Sequence, residues 1–208
     1  MKKMFKIFII ILVLVFGLKT LLFITFPVQH KEIVYKYSTE FNLDPFLVLS
    51  IIKVESNFNE NAISSKNARG LMQIGETTAK WAAEELKIED FRIEDLFDPE
   101  INILIGTWYM NNLLNQFGNT EVALAAYNAG SGNVTNWLNN NDYSFDSTTL
   151  YRIPFDETEN YVRKVSENYR IYERLYDEEI FKSNISLSEK LSDRIHSFIL
   201  AKRKGNIN

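Results

Sequence analysis

A chain of 208 residues holds one domain of ordinary size plus an appendage, and its 46% hydrophobic content, with 15 Phe and 10 Tyr, supplies a core. The absence of cysteine removes disulfides, thiol nucleophiles and thiolate metal sites, and two histidines near opposite ends, His30 and His196, argue against a multi-histidine metal site or a Ser-His-Asp triad. Net charge is −4, and since Lys2, Lys3, Lys6 and Lys19 meet no acid within residues 1–27, the remainder carries −8, the opposite of a nucleic-acid binder's basic footprint.

Both histidines read as surface residues. The first element is an apolar stretch from Phe5 to Phe26, broken only by Lys6, Gly17, Lys19 and Thr20 and closed by Pro27. As a helix, a stretch of this length crosses a hydrocarbon core of about 30 Å. A cleaved signal would want a shorter apolar region and a small-x-small site, and Phe23-Ile24-Thr25-Phe26-Pro27 offers neither. No cysteine follows to carry a lipid. Residues 1–27 therefore read as an uncleaved transmembrane anchor, with residues 5–26 in the cytoplasmic membrane. The terminal lysines place the amino end inside and the body outside, and Lys19 can snorkel to the outer interface.

Helical periodicity follows nearly throughout. His30 to Phe41 carries apolar residues at 33, 34, 37 and 41. Asp44 reads as N-cap and Pro45 as first residue of a helix through Val54. Thr77 to Leu86 reads as a further helix. Asp98-Pro99 opens a longer one that stops at Gly118, and Thr120 caps a helix through Tyr127 that ends at Gly130. Residues 139–150 read as a surface loop, and Glu157 to Tyr176 as the last helix. No alternating strand pattern and no internal repeat occur. The segment 177–208 reads as a polar helical or weakly ordered tail.

One residue stands out against this pattern. Counting back from Glu55 by four and seven gives Ile51 and Val48, so its carboxylate continues an apolar stripe. Burial raises a carboxyl pKa, and a carboxyl still protonated near neutrality can act as a general acid. Read alone, Glu55 is a helix-end residue at the rim of the core. Its surroundings change that reading. Downstream stand Glu55-Ser56-Asn57-Phe58-Asn59, Ser64-Ser65, Ala68-Arg69-Gly70-Leu71-Met72-Gln73-Ile74, Ala125-Ala126-Tyr127-Asn128-Ala129-Gly130 and Ile153-Pro154-Phe155-Asp156-Glu157-Thr158-Glu159-Asn160-Tyr161-Val162, with Asp98-Pro99-Glu100-Ile101-Asn102-Ile103 linking them.

In this order the blocks resemble the soluble-lytic-transglycosylase (SLT) catalytic domain, a goose-lysozyme-like fold that cleaves peptidoglycan glycan strands. The expected architecture is mainly α: a lysozyme-like helical domain over 28–176, preceded by one transmembrane helix. Glycoside cleavage usually employs two carboxylates, but Glu60, Glu76 and Asp90 lie in segments that read as exposed. The resemblance implies that Glu55 alone protonates the bond between N-acetylmuramic acid and N-acetylglucosamine. It then deprotonates the muramoyl C6 hydroxyl, which closes a 1,6-anhydro ring. A muramidase-type hydrolase on the same fold and a non-catalytic wall-binding scaffold remain alternatives.

The resemblance further implies that Ser64 and Gln73 hydrogen-bond the sugar and that Tyr127 contacts the catalytic carboxyl. It implies substrate contact for Asn128 and an acidic site-floor position for Glu157. Apart from the resemblance, Ser64 and Gln73 are polar loop residues, Tyr127 a core aromatic, Asn128 a partner of the Gly130 turn and Glu157 a first-turn helix Glu. Gly70 is expected to let backbone approach a ligand closely. Trp81, Trp108 and Trp137 read as core or rim aromatics, with sugar stacking open for Trp137 only. Where the family usually has Met-Pro after Gln73-Ile74, this chain has Gly75-Glu76, which leaves the shape of the sugar subsites open. No cofactor or metal is expected. An acidic body holds glycan by hydrogen bonds and aromatic faces, and any partner in cell-wall or secretion machinery is left open.

Overall fold

A helix that is apolar on every side has to be surrounded, and Pro45–Glu55 is that helix here. The computed structural model describes residues 2–176; the tail 177–208, with His196, lies outside the described residues. The helices are α1 (Lys2–Thr25), α2 (Lys31–Glu40), α3 (Pro45–Glu55), α4 (Glu76–Glu85), α5 (Pro99–Phe117), α6 (Thr120–Ala129), α7 (Ser131–Leu138) and α8 (Asp156–Leu175), with a 3-10 turn at Ile93–Phe97 between α4 and α5. No strand occurs among the described residues. Arg69 forms isolated bridges to Ile63 and Ile74, which pinch one loop closed.

Every residue from Pro45 to Ile52 is buried, so α3 forms the axis of the body, packed against α2 and α8. Its start is fixed by Asp44, one oxygen of which accepts from the Phe46 N–H at 2.7 Å while the other accepts from the Tyr169 hydroxyl at 2.9 Å. The cap thereby also pins α8. That helix turns Tyr161, Val162, Val165 and Tyr172 inward and most of its charged residues outward. Helices α5 and α6 pack on each other, α6 also on α8, and α2 on α5.

The outer helix α1 is long and apolar enough to cross a membrane. The hydroxyls of Thr20 and Thr25 bond back to the carbonyls of Phe16 and Leu21, so neither presents an open donor along its length. The stretch that follows is seated on the body. Phe26 is buried edge-on to Tyr172, ring centroids 5.5 Å apart, with the Lys53 ammonium 5.5 Å from its ring centroid. The Tyr172 hydroxyl donates to the Pro27 carbonyl at 2.9 Å. His30, expected on the surface, keeps 18% of its side chain exposed and lies 3.1 Å from Glu60 through Nε2.

One expectation shifts at this level, and one element is new. The cap of α6 is Asn119, whose side chain accepts from the Val122 N–H at 3.1 Å, and Thr120 is the first helical residue. The short α7 escapes a propensity reading because Gly132 and Asn133 sit in its first turn; burial of Val134, Trp137 and Leu138 holds it.

Candidate active site

Glu55 is the last residue of α3. The preceding turns are buried all round, so its carboxyl is stripped of water by the core itself and not by a single apolar stripe. Burial pushes the carboxyl up from 4.5 to about 7; the Tyr161 hydroxyl works against that rise, and the charge of Glu157 adds to it. The Tyr161 hydroxyl is itself buried, and no group meets it with full hydrogen-bond geometry. It is held well above the ordinary phenol range by burial, by the charge of Glu55 and by Tyr127, so it keeps its proton and faces Glu55 as a donor. A carboxyl set this way is protonated in part at neutrality and can donate that proton and take one back.

The chain reverses directly after this carboxyl. Asn57 and Phe58 both lie in the left-handed region, φ 49° and 65°, a conformation that costs a phenylalanine about 1–2 kcal/mol. Burial of the Phe58 ring offsets that cost and fixes the loop's departure angle. The loop then returns to the body at residues 69–74, where fully buried Asn102 on α5 latches it. Its Oδ1 accepts from the Met72 N–H at 2.7 Å, and its Nδ2 donates to the carbonyls of Arg69 at 2.9 Å and Leu96 at 2.8 Å. Gly70 sits under this latch with φ 76°, and a Cβ there would overlap the Leu96 carbonyl and the Asn102 amide. The close approach expected at Gly70 is thus to its own chain rather than to a ligand.

The sequence-predicted residues divide into those that face Glu55 and those that shape its surroundings. Tyr127 is close enough for the Glu55 charge to raise its phenol, yet its hydroxyl donates to the Met72 carbonyl at 2.9 Å, bracing the loop instead of bonding the carboxyl. Gln73, at φ 49°, folds back so that Nε2 donates to the carbonyls of Ala62 at 3.0 Å and Gly70 at 2.9 Å. Only its Oε1 is left for a ligand, as an acceptor. Ser64 accepts from the N–H groups of Lys66 at 3.2 Å and Ala68 at 3.0 Å, which leaves its own O–H to donate. Asn128 accepts from the Thr158 hydroxyl at 2.7 Å and joins α6 to the first turn of α8. Glu157 is exposed, with Lys66 Nζ 3.7 Å away, and reaches Glu55 through its charge.

The tryptophans are core and rim aromatics as expected, but the one whose face is open is not Trp137. Trp137 is buried with Phe155 edge-on to it at 5.0 Å. Trp81 is the exposed one, at 44%, and contacts Trp108 at 4.7 Å and Tyr109 at 6.3 Å; Tyr109 in turn lies 5.4 Å from Tyr127. At the Gly75-Glu76 departure, Gly75 caps α4 and the exposed Glu76 side chain accepts from Lys80 Nζ at 2.6 Å.

Tyr161 and Asn102 were not singled out from the sequence, although both lie inside quoted blocks. Tyr161 falls on the inward stripe of α8, where a tyrosine is ordinarily core, and nothing local marks its hydroxyl as facing a carboxyl. Asn102 leaves a readable trace: a lone amide between Ile101 and Ile103, at a position the helix buries.

A mainly helical body carrying one desolvated carboxyl, with a latched loop behind it, defines a lysozyme-like domain. The profile described as "Transglycosylase SLT domain" matches residues 32–149, more than half of the chain, and the chain belongs to that family. It is 37% identical over 143 residues to the soluble lytic murein transglycosylase of Salmonella typhimurium, covering 67% of this chain and 22% of that protein. Membrane-bound lytic murein transglycosylase C of Edwardsiella ictaluri is 29% identical over 178 residues, covering 71% of this chain and 47% of its own. Among solved structures, an inactive Glu-to-Gln mutant of the lytic transglycosylase Slt from Pseudomonas aeruginosa superimposes with a TM-score of 0.65 at 32% identity, over 74% of this chain and 25% of that one. The chain therefore spans about a quarter to a half of the length of these relatives.

Proposed function

We propose that the protein is a membrane-anchored lytic transglycosylase that cleaves the bond between N-acetylmuramic acid and N-acetylglucosamine in peptidoglycan and leaves a 1,6-anhydro end. The carrying observation is the isolation of Glu55: its carboxyl is raised to about 7, and the acidic residue that senses it, Glu157, is exposed beside Lys66. A hydrolase usually employs a second carboxylate to activate water. Glu55 instead gives its proton to the glycosidic oxygen, and as carboxylate takes the proton of the C6 hydroxyl that attacks C1. Attack within one sugar has the advantage of proximity. Tyr161 orients the carboxyl and favours its ionised form after the first transfer. The Ser64 hydroxyl and Gln73 Oε1 offer a donor and an acceptor to the acetamido groups, Tyr127 and Asn128 hold the walls, and Glu157 keeps the Glu55 proton in place through its charge.

The test is the product. Digestion of purified wall by the full chain should yield muropeptides lighter by one water than the hydrolysed form and resistant to borohydride. Reducible products of hydrated mass would make the protein a muramidase, and an uncut wall would leave a binding scaffold.

Residues 1–27 serve as the anchor and 28–176 as the lytic domain, with 177–208 following it. The anchor crosses the cytoplasmic membrane once, amino end inside. Support comes from the apolar α1, the lysines at its start and the membrane-bound relative. Protease added outside intact spheroplasts should degrade the body and spare a short amino-terminal fragment, as read by blotting an amino-terminal tag. Full protection of the body would reverse the topology.

A further inference from the structure

The loop 139–155 carries the most exposed aromatic residue of the described body. Phe145 is 80% exposed and Tyr151 51% exposed, and their rings stack with centroids 4.1 Å apart and planes 9° apart. Burial of a phenylalanine ring is favourable, and this loop forgoes it by holding the ring outward. It does so with order. The Tyr151 hydroxyl donates to the Asn141 carbonyl at 2.9 Å, and its N–H to the Tyr143 carbonyl at 3.0 Å. The Asp146 carboxylate accepts from the N–H groups of Thr148 at 2.8 Å and Thr149 at 2.7 Å and from the Thr149 hydroxyl at 2.8 Å. Buried Ser144 accepts from the Ser147 N–H at 3.0 Å. A platform fixed before its ligand arrives loses little entropy on binding.

Position ties it to the candidate site. The loop runs through Ile153-Pro154-Phe155 into the first turn of α8, where Glu157 senses Glu55. We propose that the outer face of Phe145, backed by the Tyr151 ring stacked on its other face, is a stacking platform for an N-acetylhexosamine unit of the glycan strand, outside the subsites around the bond being cut. The inference rests on the glycan-cleaving reading above. Aromatic faces carry negative potential, and the flat face of a pyranose presents C–H groups that complement it.

Other occupants fit less well. Two rings offer a few hundred Å², against roughly 1,200 Å² or more for a stable protein interface. An anionic bilayer is disfavoured by Asp142, Asp146, Asp156, Glu157 and Glu159, against which residues 139–160 set Arg152 alone. The platform also stands at the opposite end of α8 from Tyr172, which holds the segment leaving the anchor. At 1.5 Å per residue, the helix separates Asp156 from Tyr172 by about 24 Å.

The experiment uses the full chain in detergent with Glu55→Gln, so that binding is measured without turnover. Peptide-free glycan strands of defined length are titrated calorimetrically against this variant and against its combination with Phe145→Ala. Long strands should bind roughly three- to tenfold more weakly to the combination, while the shortest strands bind both variants equally. Phe145→Leu, apolar but without a ring face, should behave as the alanine does, and Phe145→Trp should restore affinity. Equal affinity for long strands with and without the ring overturns the platform. So does a blue shift of Phe145→Trp emission on transfer into phosphatidylglycerol bilayers without glycan, which assigns the rings to lipid, or a dimer in sedimentation that Phe145→Ala dissolves, which assigns them to a second copy. Failure of the cleaving reading registers separately, as a parent chain that binds strands and leaves walls uncut.

Discussion

Glu55→Gln is expected to lower wall cleavage by roughly 10²-fold or more while the chain folds as before, measured as release of soluble muropeptides beside near-ultraviolet circular dichroism. Gln keeps the size and hydrogen-bonding capacity of the carboxyl and loses the proton that has to be delivered. The parent's own pH profile checks the same group. Because the protonated form starts the reaction, kcat/KM should fall above about pH 7, tenfold per unit, as the carboxyl ionises. Stability moves with it. The folded carboxyl holds its proton more tightly than the ordinary 4.5 of the unfolded chain, so its contribution is complete below that value and is lost as pH rises through about 7. The Gln variant escapes this loss. At pH 8 to 9 it should be more stable than the parent by on the order of 2 kcal/mol, and at pH 4 the two should melt together. A Gln variant that cleaves as well as the parent would remove Glu55 from the chemistry.

The second large effect is expected away from the reacting atoms. Asn102→Ala leaves the Met72 N–H and the Leu96 carbonyl without partners in a buried place, while the Arg69 carbonyl keeps the Ile74 N–H. Each such group costs about 1–3 kcal/mol, so a loss on the order of 3 kcal/mol is expected, seen as a melting temperature lower by roughly 10 °C. Cleavage should fall further than the unfolded fraction accounts for, because the same latch sets the position of Gln73 and of the carbonyl that Tyr127 grips. Asn102→Asp tests the geometry: it retains the acceptor for the Met72 N–H and turns both donated bonds into repulsions. A melting temperature unchanged in the alanine variant would make the latch dispensable.

The helices were legible where local chemistry sets them. Asp44-Pro45 and Asp98-Pro99 announce α3 and α5, and each Asp accepts from N–H groups of the first turn. Glu55 was legible as a carboxylate beside apolar neighbours, although the cause of its desolvation is a helix buried on all sides, which the spacing of Ile51 and Val48 understates. What escaped was set by contacts distant in sequence. The sequence names Gln73 and Tyr127 but not the bonds that set them, the Gln73 amide on the carbonyls of Ala62 and Gly70 and the Tyr127 hydroxyl on that of Met72. Short-range patterns name residue types and do not say which of several polar neighbours takes each hydrogen. The same limit applies to Trp137, whose burial beside Phe155 depends on a loop with no periodicity at all.

The junction after α1 bears on where such an enzyme can work. Thr25 ends the helix and Phe26 is already packed against Tyr172, so no free chain separates the two. A flexible linker of 20 residues would give a swing of about 25 Å; here the first residue past the helix is already seated on the body. Under the proposed topology the catalytic carboxyl travels at one altitude above the lipid, set by the body itself. With the proposed activity, such a protein would reach only a thin layer of wall at the outer face of the membrane, and strands farther out would stay beyond its range.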